Sequence, residues 1–128
     1  MNQTEFQIVC DEQFRRLDSI RRNMGISDKL PTVPLFQTPF RDLADDLVLC
    51  PDDAAAGRAL ARHPAGWPAF AILARGVGAS IANGQYRPGD VEPGLCPFFY
   101  IGRFVASFYE MAEDFERKKR AGEIDHDT

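Results

Sequence analysis

The stretch Pro97–Arg120, PFFYIGRFVASFYEMAEDFERKKR, decides how this chain is read. It holds Phe98, Phe99, Tyr100, Phe104, Phe108, Tyr109 and Phe115, half of all the aromatic residues (Trp 1, Tyr 3, Phe 10). Phe98, Ile101, Val105, Phe108, Ala112 and Phe115 recur in steps of three and four, which lines them along one face of an α-helix. Phe104 and Met111 widen that stripe, and Tyr100 and Tyr109 carry it further around. So wide a stripe needs more cover than a chain of 128 residues easily supplies. Aromatic side chains are enriched in interface cores, so an edge of Tyr100, Phe104, Phe108 and Met111, beside Ser107, is expected to bind a partner. The same residues also suit the chain's own core.

Working outward, a helix is expected over Pro68–Ala82, with Phe70, Leu73, Val77 and Ile81 as its apolar stripe. Ala74, Gly78 and Ala82 lie four apart and leave one side almost bare. Glycine inside a helix costs up to about 1 kcal/mol, and close helix packing is the usual compensation. The aromatics of the last helix are the expected complement to that bare side. Asn83-Gly84 should end this element, and Pro88-Gly89-Asp90 and Pro93-Gly94 mark turns before Pro97 opens the last helix. The basic run Arg117–Arg120 falls near the negative end of its dipole.

The N-terminal side predicts a first helix over Glu5–Met24, with Thr4 and Gln7 spaced as a capping box. Phe6, Val9, Cys10, Phe14, Leu17, Ile20 and Met24 form its apolar face. Asp11–Arg15, Glu12–Arg16 and Asp18–Arg22 are acid-before-base pairs one turn apart. Gly25 is a terminator. Pro31, Pro34 and Pro39 forbid a continuous helix and favour an extended strap over the core, with the PxxP spacing of Pro31 and Pro34 as weak evidence of a ligand motif. Thr38-Pro39 should start a second helix with Phe40, Leu43, Ala44, Leu47 and Val48 buried. Pro51 ends or bends it. Asp52 or Asp53 then caps a short alanine-rich helix to about Arg62, before Pro64, Gly66 and Pro68 interrupt the chain.

The expected fold is therefore all-α, with four or five helices framed by long amphipathic first and last helices. It forms one domain over residues 1–122, with 123–128 as a flexible acidic tail. A hydrophobic content of 45% and a charged content of 27% suit a globular chain, and no apolar run is long enough to span a bilayer. The beginning MNQTEFQIVCDEQ has acidic residues where a signal peptide needs a basic start, so a cytoplasmic location is expected. A net charge of -4 argues against direct nucleic-acid binding. Cys10, Cys50 and Cys96 are far apart and odd in number, which suits reduced thiols.

Motifs for chemistry are sparse. Gly76-Val77-Gly78 lacks the third glycine and the preceding strand of a dinucleotide loop. Gly78-Ala79-Ser80-Ile81-Ala82 half-matches a nucleophile elbow, but Ser80 falls inside a helix. His63 and His126, even with Asp125 and Asp127, do not make a tetrahedral metal shell. Asp45-Asp46 and Asp52-Asp53 are sequence neighbours that point in different directions, so no acid/base dyad is visible. No cofactor or metal is expected. Cys96 precedes a helix N-terminus, where the dipole favours a thiolate, although a free cysteine there is more often a buried small apolar residue. A small thiol-dependent redox protein or enzyme using Cys96 is the alternative to a non-enzymatic interaction protein.

The segment AFAILARGVGASIANGQYRPGD…PFFYIGRFVASFYEMAEDF, Ala69–Phe115, resembles the small helical quorum-sensing anti-activator family typified by QslA: a helix, an Asn-Gly break and an aromatic helix. The resemblance implies a regulatory protein that binds a LuxR-type transcription regulator and blocks its dimerisation, and so its DNA binding. It carries no binding residue across to this chain. The expected partners are thus a protein, such as a transcription regulator, and a second copy in a homodimer.

Overall fold

A computed structural model describes residues 2–30, 40–84 and 96–122. All regular structure among them is helical: α1 (Gln3–Asn23), α2 (Phe40–Leu47), α3 (Asp53–Arg62), a 3-10 turn (Pro64–Gly66), α4 (Trp67–Arg75), α5 (Val77–Ala82) and α6 (Phe99–Arg120). The all-α reading holds, and α1 and α6 are the long helices. The strap prolines, the Thr38-Pro39 start, the turns over 85–95 and the acidic tail with His126 lie outside the described residues.

α1 begins earlier than its sequence predicts. Asn2, rather than Thr4, is the cap: its Oδ1 accepts from the Glu5 amide at 2.8 Å, and its Nδ2 donates to Glu5 Oε1 at 3.0 Å. Thr4 and Gln7 are inside the helix. Phe6, Cys10 and Leu17 are buried, Phe14 and Ile20 partly so, and Met24 is exposed. Gly25 ends the helix with φ +71, a left-handed conformation that only glycine adopts cheaply. Asp18 pairs with Arg22 as expected and also with Arg21. Arg16 departs from the expected pairing with Glu12. It meets Asp53 of α3 at 2.6 Å and lies over the Phe98 ring.

α2 presents Phe40, Leu43, Ala44 and Leu47 to the core, and Asp52 caps α3 by accepting from the Ala55 amide at 2.8 Å. The expected helix over Pro68–Ala82 is instead two helices that meet at Gly76. Its amide donates to Leu73 O at 3.1 Å and closes α4, and α5 starts afresh at Val77. The apolar phase continues across the break, since Phe70, Val77 and Ile81 are all buried. That is why periodicity alone reads one helix.

The chain's single tryptophan is the largest fully buried side chain. Trp67 stacks between Phe14 and Phe70, with ring centroids 5.7 and 5.6 Å away, and Arg21 lies over it. A buried indole N–H needs an acceptor, and Asp28 Oδ1 supplies it at 3.1 Å. Arg75 holds the other Asp28 oxygen at 3.2 Å. Asp28 thus ties the exit of α1 to both ends of α4.

α6 packs most extensively on α2 and next on α1. Its first turn has no side-chain cap of its own; Gln13 of α1 reaches over, and Gln13 Oε1 accepts from the Ile101 amide at 2.9 Å. Against α2, Phe40 meets Tyr109 with centroids 5.1 Å apart, and Arg41 reaches Glu110 at 3.1 Å and Glu113 at 3.3 Å. Ala44 and Val48 lie against Gly102. The two helices are therefore antiparallel. A Cβ built on Gly102 would stand 2.8 Å from Val48 Cγ1 and 3.0 Å from Ala44 O.

α4 does pack on α6, but the expected close approach along the Ala74, Gly78 and Ala82 row is corrected. Gly78 does not receive aromatics: a Cβ there would meet the Gln7 side chain at 2.8 Å. Ala82 is exposed, and only Ala74 of that row is buried. The close approach is made by the last helix itself, through Gly102 on α2.

Gly102→Ala should destabilise the fold by about 1–3 kcal/mol, because the Ala44 carbonyl is backbone and cannot give way locally. Gly57→Ala, inside α3, should stabilise by up to about 1 kcal/mol from helix propensity, since its Cβ would make only ordinary contact with Met24 Sδ at 3.4 Å. Urea unfolding of both variants checks the contrast. Equal and opposite-signed outcomes, with Gly102→Ala the more stable, would refute the close α2–α6 seam.

Candidate functional site

The four residues expected at a partner-binding edge separate in the structure. Phe104 is fully buried, with its ring 5.1 Å from that of Phe108, so it has no surface to offer. Its place in the expected edge is corrected on that ground: α6 turns Phe104 inward beside Ile101 and Val105. Tyr100 is half-buried, with edge-on contacts to Phe6 at 5.9 Å and Phe99 at 5.5 Å. Phe108 is half-buried against the core. Met111 is 41% exposed. Ser107 is turned to its own helix, its hydroxyl donating to Arg103 O at 2.9 Å.

The residue that the expected edge lacks is Phe115, which is 52% exposed. Met111 and Phe115 are one turn apart on the same face, and Phe108 links them to the buried rows. The apolar stripe thus runs out of the core and into solvent without a break. Every residue from Phe115 to Gly122 is exposed.

Length explains where the cover ends. At 1.5 Å per residue, α6 is about 33 Å long and α2 only about 12 Å. Their antiparallel register sets Phe40, the first residue of α2, beside Tyr109. Met111 and Phe115 therefore project past the start of α2. The stripe in the sequence shows its full length but not the length of the helix that covers it.

Charge frames this face in two blocks. Glu110, Glu113, Asp114 and Glu116 come first, then Arg117, Lys118, Lys119 and Arg120. Glu110 and Glu113 bind Arg41, whereas Asp114 pairs with Arg117 at 2.8 Å and Lys118 at 3.3 Å. Hydrogen bonds from Arg117 and then Lys118 hold the Asp114 carboxyl below its ordinary range.

The thiols differ sharply. Cys10 is fully buried, and desolvation, then the Asp11 charge, pushes its thiol up to about 12. Cys50 is raised by burial and next by Asp46, and its Sγ–H donates to Asp46 O at 3.2 Å. Cys96 is partly exposed, which departs from the commoner reading of a buried cysteine at that position. It precedes α6, and its carbonyl accepts from the Phe99 amide at 3.2 Å.

Cys50 lines a cleft of about 290 Å³ with Asp46, Leu49, Pro51, Ala55, Arg58 and Arg62. Asp46 is already engaged there, 2.8 Å from His63 Nε2 and 3.2 Å from Arg62. His63 is therefore paired with a carboxylate rather than with a thiol. Ser80 is buried within α5, where a helix replaces the strand-to-turn geometry of a nucleophile elbow. Among the described residues no three His, Cys, Asp or Glu side chains are grouped as metal ligands, and no helix is long and apolar enough to cross a membrane. Comparison with protein-family models, with curated proteins and with solved structures finds no match.

The raised Cys10 thiol has a pH consequence. Below pH 9 the thiol is protonated in both states and its contribution is complete. Between the ordinary value of 9.0 and about 12 the unfolded chain loses a proton that the folded chain keeps, so stability falls as pH rises. Urea midpoints measured upward from pH 8 should decline more gently in Cys10→Ala than in the wild type. Parallel declines would show that Cys10 is not held neutral by burial.

Proposed function

We propose that this chain is a non-enzymatic regulatory protein that binds and blocks a protein partner through the aromatic α6. The supporting observation is the exposed pair Met111 and Phe115, continuous through Phe108 with the buried stripe. Large apolar side chains at helical spacing, left bare beside charged residues, are the anchors of a helix-in-groove contact. Tyr100, in the first turn of α6, lies away from this pair.

The partner in this proposal is a LuxR-type transcription regulator, and the action is that of a quorum-sensing anti-activator in the cytoplasm. That specific identity rests on the sequence resemblance over Ala69–Phe115. Met111 and Phe115 themselves fit a protein with a complementary apolar groove. A homodimer through the same helix is part of the proposal, because an isologous contact would cover Met111 and Phe115 on both copies.

The double variant Met111→Glu/Phe115→Glu tests the surface. Both positions are exposed, so the helical circular dichroism signal and the urea midpoint should remain close to wild type. Co-purification with a co-expressed LuxR-type regulator, and release of that regulator from its DNA site in a gel shift, should both be lost. Retained binding in the folded double variant would remove the surface from the proposal. Absence of any binding by the wild type would remove the regulator but not the surface, for which sedimentation of wild type against variant then decides on self-association.

A further inference from the structure

The antiparallel α2–α6 seam has two ends. At one, Arg41 holds Glu110 and Glu113. At the other, Ala44 and Val48 close on Gly102. Beyond Val48 the chain leaves α2 and reaches Cys50, two residues on. The chain coming the other way passes Cys96 and Phe98 as it enters α6, six and four residues before Gly102. Both cysteines therefore stand at the same end of the seam. Each lies within six residues of the Val48–Gly102 contact that closes this end of the seam. Cys50 is nearly sealed, at 5% exposure, whereas Cys96 is partly exposed. The third thiol, Cys10, is enclosed in α1.

One accessible thiol and one sheltered thiol at the same end of a helix seam suit an oxidant-sensing pair, in which the first sulfur meets the oxidant and the second resolves it. We propose that Cys96 and Cys50 form such a pair and close to an intrachain disulfide in response to hydrogen peroxide. Cys96 sulfur attacks one peroxide oxygen, the O–O bond breaks, and Cys96 sulfenic acid and water result. Cys50 sulfur then attacks the Cys96 sulfur, the S–S bond forms, the S–O bond breaks, and the departing hydroxide takes the Cys50 proton as a second water. Two thiols are oxidised by two electrons in all, and one peroxide is reduced to two waters. The bond fastens the start of α6 to the end of α2.

This proposal does not depend on the partner-binding reading. Met111 and Phe115 lie at the far end of α6, so the oxidised chain should keep whatever that face binds.

The test exposes the reduced full chain to graded hydrogen peroxide, then denatures it and blocks free thiols with iodoacetamide before intact-mass and peptide mapping. The expected product is lighter by two hydrogens, accepts one blocking group, at Cys10, and yields the Cys50 peptide joined to the Cys96 peptide within a monomeric chain. In Cys50→Ser, Cys96 should instead gain oxygen as sulfinic acid. In Cys96→Ser, the same peroxide should leave Cys50 free. The proposal is overturned if wild-type Cys96 over-oxidises while Cys50 stays free, if the disulfide joins two chains, or if no thiol reacts. Should Cys50→Ser fail to fold, the wild-type peptide map alone decides between these outcomes.

Discussion

The close approach of α6 to α2 at Gly102 is the constraint on which the other contacts depend. With a Cβ at that position only 2.8 Å from Val48 Cγ1 and 3.0 Å from a backbone carbonyl, any side chain at 102 would force its α2 neighbours to shift. That contact sets the antiparallel register. From it follow the pairing of Phe40 with Tyr109, the reach of Arg41 to Glu110 and Glu113, and the burial of Ile101, Phe104 and Val105. Arg41 is one-third exposed, so its ion pairs add little stability by themselves and serve mainly to hold register. The energetic weight lies in the apolar burial beneath.

The same register determines where protein ends and surface begins on α6. An eight-residue α2 cannot cover a 22-residue α6, and the uncovered part is the one beyond Tyr109. α1 reaches α6 at its first turn, where Gln13 bonds the Ile101 amide. The exposed Met111 and Phe115 are thus a consequence of helix lengths, not of a local departure from apolar patterning. The proposed binding face and the proposed thiol pair sit at opposite ends of one seam for the same geometric reason.

How much of this was legible in the sequence depends on how local each feature is. A cap at Asp52 or Asp53, the all-α class and the buried residues Phe40, Leu43, Ala44 and Leu47 are set within a few residues and read directly, whereas Val48, expected on the same face, is only partly buried. The break at Gly76 did not read directly, because Phe70, Val77 and Ile81 keep one apolar phase through it. The row Ala74, Gly78 and Ala82 signalled a place where a backbone could come close, but a row of small residues does not name its partner. Gln7 occupies Gly78, and the approach that matters was marked by a single glycine among aromatics. Trp67, a single residue between helix breakers, belongs to no periodic pattern, yet its burial organises α1 and α4 through Asp28. Phe104 and Phe115 were indistinguishable on the stripe, since only the length and register of α2 separate a core position from an exposed one.

The most direct test of an α6 that is half core and half surface is residue-resolved amide hydrogen exchange along that helix in dilute, reduced protein. The account predicts strong protection from Gly102 through Ala106 and rapid exchange from Phe115 through Arg120, with the boundary near Glu113. Uniform strong protection to Arg120 in a chain shown to be monomeric would contradict it, because another part of the same chain would then have to cover Met111 and Phe115.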